Sequence, residues 1–93
     1  IGGRQASDVQ IALAQSLEAG GETPHAAALY TEAVKRDPGR ADAWIRLAAL
    51  QSRQGKFAEA EDSYRKALAA RPGDAGAYCG LGYSFYLQGR LSD

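Results

Sequence analysis

Much of the usual material of a functional site is scarce in this chain. A single cysteine, Cys79, excludes an internal disulfide, so the redox compartment stays open. His25 is the only histidine, and beside Pro24 at a helix start it reads as an ordinary surface residue. One histidine and one cysteine in different parts of the chain leave no metal cluster and no paired nucleophile and base. Methionine and asparagine are missing altogether. No apolar run approaches the roughly 20 residues of a membrane span, and no signal-peptide pattern opens the chain. Neither sign of charge prevails. The 11 basic residues balance the 11 acidic ones and are interspersed with them, without the footprint of a nucleic-acid or membrane-surface binder. Valine and isoleucine are few and nowhere alternate, so no strand is expected.

What is present is helical and repetitive. Ala, Leu, Gln, Glu, Lys and Arg fill the stretches between glycines and prolines. Shifted by 34 positions, the chain meets itself: Leu13, Leu47 and Leu81 share a column, as do Ala14, Ala48 and Gly82, and Gly21, Gly55 and Gly89. Gln10, Trp44 and Tyr78 form another. Ala26 meets Ala60, Tyr30 meets Tyr64, Ala33 meets Ala67 and Pro38 meets Pro72.

The clearest copy predicts a helix over 41–53, with Trp44, Leu47, Ala48 and Leu50 on one apolar face. Gly55 ends it, and a second helix follows over 57–70, burying Phe57, Ala60, Tyr64, Ala67 and Leu68. Pro72 stops that helix. In the first copy Thr23 is expected to cap the second helix, with Pro24 at its first position, and Asp37-Pro38-Gly39 to turn the chain out. Residues 1–6 read as linker, native or artificial. Residues 7–40 and 41–74 make two repeats, and 75–93 make the first helix and turn of a third. The chain therefore reads as one small domain cut from, or processed out of, something longer.

The pattern of Trp44, Leu47, Ala48, Gly55, Ala60, Tyr64, Ala67 and Pro72 resembles the tetratricopeptide repeat family. Gln10 and Gln51 depart from it where aromatics are usual. The resemblance implies an all-α fold, a right-handed α-solenoid of antiparallel helix pairs, whose first helices line a concave groove. It places Ile11, Gln15, Ile45, Arg46, Arg53, Cys79, Tyr83 and Tyr86 at groove-facing positions, along with Asp8, Glu18, Asp42, Ala49, Ser52, Gly76, Gly80 and Leu87. The carboxylate clamp of chaperone-binding members is not implied. Its lysine places carry Ile11 and Gly76, and its asparagines have no counterpart.

No chemistry of catalysis appears. Gly80-Leu81-Gly82 lacks the strand and full loop of a phosphate-binding turn. Glu59, Glu61 and Asp62 suit a helix start rather than a catalytic cleft. The expected function is that of a non-enzymatic protein-interaction module without cofactor, taking a protein or peptide partner and neither nucleic acid nor membrane. Tyr and Arg in the groove are side chains favoured at binding hot spots; Tyr83 and Tyr86 could equally pack on a further repeat. Tyr78, Leu81 and Phe85 are expected to form an uncovered edge through which the chain assembles or self-associates. Two other readings stand beside this one: a spacer in a bacterial secretion, pilus-assembly or envelope complex, and a regulatory arm of an enzyme.

Overall fold

The structure, a computed structural model, describes residues 3–89, with side chains from residue 6 onward. Five helices follow one another: α1 (Gly3–Ala19), α2 (Thr23–Arg36), α3 (Ala41–Arg53), α4 (Phe57–Ala70) and α5 (Ala75–Leu87). α1 packs on α2 and α3 on α4, while α5 packs on α4 and touches α3. The body measures 44 × 29 × 17 Å. The expected turn and start of a further helix at 90–93 lie outside the described residues. Residues 3–6, read above as linker, belong to α1.

The 34-residue columns explain the geometry. Ala14 and Ala48 on the first helices are fully buried, as are Ala26 and Ala60 on the second. Small side chains at these places let the paired helices approach closely. Gly21, Gly55 and Gly89 each take a positive φ, of 83°, 79° and 74°. After α1 and α3 this permits the same reverse turn: Glu22 N–H donates to the Leu17 carbonyl at 2.9 Å and Lys56 N–H to that of Gln51 at 2.8 Å. Thr23 does not cap α2. Glu22 occupies the cap position without a side-chain bond, and Thr23 and Pro24 already lie in the first turn. A true side-chain cap occurs at α5, where the Asp74 carboxylate accepts from Ala77 N–H at 3.0 Å.

One core cluster unites the first repeat with α3: Ile11, Ala14, Ala26, Tyr30, Ala33 and Val34 meet Ala43, Leu47 and Leu50. A second joins Ala48, Ala60 and Tyr64, with Ile45 and Leu81 packed against it. The leucine column thus faces the preceding repeat, not its own second helix. Leu47 is buried among first-repeat residues and Leu81 half-buried among second-repeat ones. Leu13, with no earlier repeat among the described residues, is 52% exposed.

α5 departs from the pattern in its glycines. A Cβ at Gly82 would meet open space, whereas one at Gly80 would lie 2.3 Å from the Tyr64 ring. Gly82→Ala is therefore expected to raise the unfolding free energy by about 0.5–1 kcal/mol, through helix propensity alone. Gly55→Ala, forced to a positive φ, is expected to lower it by about 1–2 kcal/mol. Urea denaturation of the two variants checks the opposite signs.

Candidate functional site

The face formed by α1, α3 and α5 has two unlike halves. Between α1 and α3 it is charged and closed. Arg40, at the N-terminal cap of α3, donates from Nε and Nη2 to the two Asp42 carboxylate oxygens at 3.2 and 3.1 Å, and from Nη1 to Asp8. The pair of bonds to one carboxylate gives the guanidinium a fixed, planar seat. Further along, the buried Tyr30 donates its hydroxyl to Glu18 Oε1 at 3.0 Å, and Arg46 stands 3.7 Å from the same oxygen. Burial first, and the bond to Glu18 second, push the Tyr30 phenol well above its ordinary value.

Between α3 and α5 these groups are replaced one by one. In the 34-residue register Asp42 becomes Gly76, Glu18 becomes Ser52, Arg46 becomes Gly80 and Tyr30 becomes Tyr64. Beside Ser52, where the first repeat has the Glu18 carboxylate, lies a cavity of about 470 Å³, lined by Ala49, Ser52, Arg53, Phe57, Tyr64, Tyr83 and Leu87. Burial raises the Tyr64 phenol as well, with no carboxylate in Glu18's position. Tyr83 and Tyr86, one helical turn apart on α5, stack with centroids 6.3 Å apart and planes 19° from parallel. Both are largely exposed, at 58% and 61%.

Among the residues expected in the groove, Arg53 and Tyr83 line this cavity, and Tyr86 stacks beside it. Gln15 and Cys79 are exposed elsewhere. Arg46 is half-exposed but committed to Glu18. Ile11 is a correction: it is 5% exposed and belongs to the first core cluster, because its column points toward its own second helix. Ile45, in the same column, is half-buried against the second cluster.

On the presumed edge, Tyr78 is 58% exposed. Leu81 is also a correction, since it is packed against Ala48, Ala60 and Tyr64. Phe85 is half-buried, with the Arg65 guanidinium 6.0 Å from its ring centre. His25 is exposed, its Nδ1 3.0 Å from Glu22. Phe57 and Tyr64, read above as core, are the cavity wall that position counting missed. The signal for them lay in the change from Glu18 to Ser52 at the aligned position. Among the described residues no cluster of His, Cys, Asp or Glu could hold a metal ion, and no helix is long and apolar enough to cross a membrane.

The hydrogen bonds from Arg40 hold the Asp42 carboxyl below its ordinary value of 3.8. Because the folded group titrates below the unfolded one, its contribution is complete at neutral pH. It is lost as pH falls past 3.8 through the lower folded value. Asp42→Asn is expected to cost up to about 1 kcal/mol at pH 7, a figure limited by the half-exposed setting. Denaturation curves should show the gap between wild type and variant closing at acid pH.

Comparison with known proteins agrees with this architecture. The sequence profile described as Tetratricopeptide repeat matches residues 11–75 and 46–93. Cellulose synthase operon protein C of Pseudomonas fluorescens (strain SBW25) is 37% identical over 71 residues, an alignment taking in 76% of this chain and 6% of that protein. The chain thus spans a small fraction of that relative's length. The Arabidopsis OM64 TPR domain superposes with a TM-score of 0.91 at 26% identity, over 96% of this chain and 74% of that one. A crystal structure of MamA superposes with a TM-score of 0.88 at 21% identity, over 92% of this chain and 50% of that one, a likeness of fold alone.

Proposed function

The chain belongs to the tetratricopeptide repeat family, and from that premise we propose that it is a non-catalytic interaction module holding a protein or peptide segment against its first helices. The observation that carries this reading is the cavity between α3 and α5 with the exposed Tyr83–Tyr86 stack at its side. Its volume of about 470 Å³ falls in the roughly 300–1,000 Å³ range of ligand clefts. Its aromatic and arginine lining is of the kind that dominates binding energy at protein interfaces.

A photo-crosslinking phenylalanine analogue at Tyr83, compared with one at Tyr78, tests the reading in cells. A protein partner is expected to be trapped from position 83 and not from 78. The reverse pattern would sink it. With that partner in hand, Tyr83→Ala should weaken binding about fivefold or more while leaving helicity unchanged by circular dichroism.

A second reading has its own support. Val9 and Leu13 are 68% and 52% exposed, yet their register equivalents Ala43 and Leu47 are buried against the preceding repeat. With Tyr78 exposed on α5, this favours a role as a link in a larger repeat assembly. The alignment takes in 76% of this chain and only 6% of the relative named cellulose synthase operon protein C, which suits a link in a longer chain. Sedimentation equilibrium of the isolated chain should then show mass rising with concentration, and Leu13→Glu or Tyr78→Ser should suppress the rise. A monomer at every concentration would count against self-association.

A further inference from the structure

We propose that the cavity between α3 and α5 takes one apolar side chain of an acidic peptide segment, with Arg53 receiving a carboxylate next to that anchor. The inference rests on the groove reading above and names the chemistry of the occupant.

The repeat itself supplies the shape. Between α1 and α3 the equivalents of two cavity residues, Tyr30 and Glu18, are joined to each other, and Glu18 also faces Arg46. Between α3 and α5 the sequence supplies Tyr64, Ser52 and Gly80 instead. Glycine at 80 also lets the Tyr64 ring lie against α5, where any Cβ would stand 2.3 Å from it. Of the two changed positions, Ser52 stands on the cavity wall, while the space at Gly80 is taken by the Tyr64 ring. The cavity's walls are Ala49, Phe57, Leu87 and the rings of Tyr64 and Tyr83, which suit a leucine or aromatic anchor.

Most charges on this face are paired with one another. Arg40 takes Asp8 and Asp42, and Glu18 lies against Tyr30 and Arg46. Arg53, on the cavity wall, has no carboxylate partner among the described residues. Its place in the last turn of α3 suits the helix dipole but does not neutralise the guanidinium. The other polar side chains lining the cavity, Ser52, Tyr64 and Tyr83, offer hydroxyl groups. Among the described residues, an approaching segment therefore meets the unpaired Arg53 beside an apolar opening. A planar guanidinium is matched by a carboxylate, and a lysine-flanked anchor would face like charge.

The test uses the whole chain and three fluorescently labelled ten-residue peptides, read by anisotropy at low salt. One has a central leucine flanked by glutamates, one the same leucine flanked by lysines, and one glutamates around a central alanine. The first is expected to bind at least about tenfold more tightly than either of the others. Arg53→Gln should abolish the preference for glutamate over lysine and keep the preference for leucine over alanine. Ser52→Glu, which restores the carboxylate of the closed half beside the cavity, should remove the preference for glutamate; circular dichroism reports whether this variant folds, and Arg53→Gln decides the matter if it does not. Equal binding of the two leucine peptides, or a preference that survives Arg53→Gln, overturns the inference. If no peptide binds while crosslinking at Tyr83 traps a partner, this inference falls and the groove reading stands. If crosslinking fails as well, both fall.

Discussion

The middle of each complete second helix carries a tyrosine that is buried beneath two successive first helices. A buried ring of this size fixes the spacing of three helices at once, and its hydroxyl needs a polar neighbour or access to water. Tyr30 finds Glu18, which in turn faces Arg46, so that α1, α2 and α3 are tied through one carboxylate. Tyr64 meets the same packing demand with Ser52 and Gly80 in those places. The closed and open halves of the face follow from how one constraint is met twice.

That contrast sets two unlike junctions within a nearly regular repeat. The first interface holds its cations and anions in mutual pairs, which limits what they can offer to another molecule. The second keeps the helix spacing while leaving an aromatic opening and an unpaired guanidinium. A short array therefore need not bind evenly along its length. Its specificity can rest on a few substitutions at one junction, with the remaining columns preserving the frame.

The frame was legible in the sequence because periodicity and turn residues report it directly. The bounds expected for α3 and α4 are those observed, and the glycine column takes positive φ where each turn requires it. What periodicity could not supply was the side each column faces. A first helix inside a solenoid lies between its own second helix and that of the preceding repeat. Both neighbours demand apolar residues, so composition does not tell them apart. Hence Ile11 proved to be core, and Leu81 proved to be seated on the repeat before it. Thr23 lost the capping place to Glu22 for a smaller reason: the boundary slid by one residue, and Pro24 remained compatible with the first turn. The cavity became visible only when aligned positions were compared for charge and size rather than for similarity.

The helix that supplies one wall of the cavity holds Gly76, Gly80 and Gly82 within its 13 residues. Glycine makes helical order entropically expensive, and α5 draws much of its order from contact with α4 and α3. It is the segment in which amide hydrogen exchange by partial opening would be easiest. A molecule that bridges Arg53 on α3 to Tyr83 and Leu87 on α5 would bind the ordered helix and not the frayed one. Under the proposed reading, occupancy of the cavity and helicity of α5 would be linked, because the ordered helix alone presents both sides of the opening.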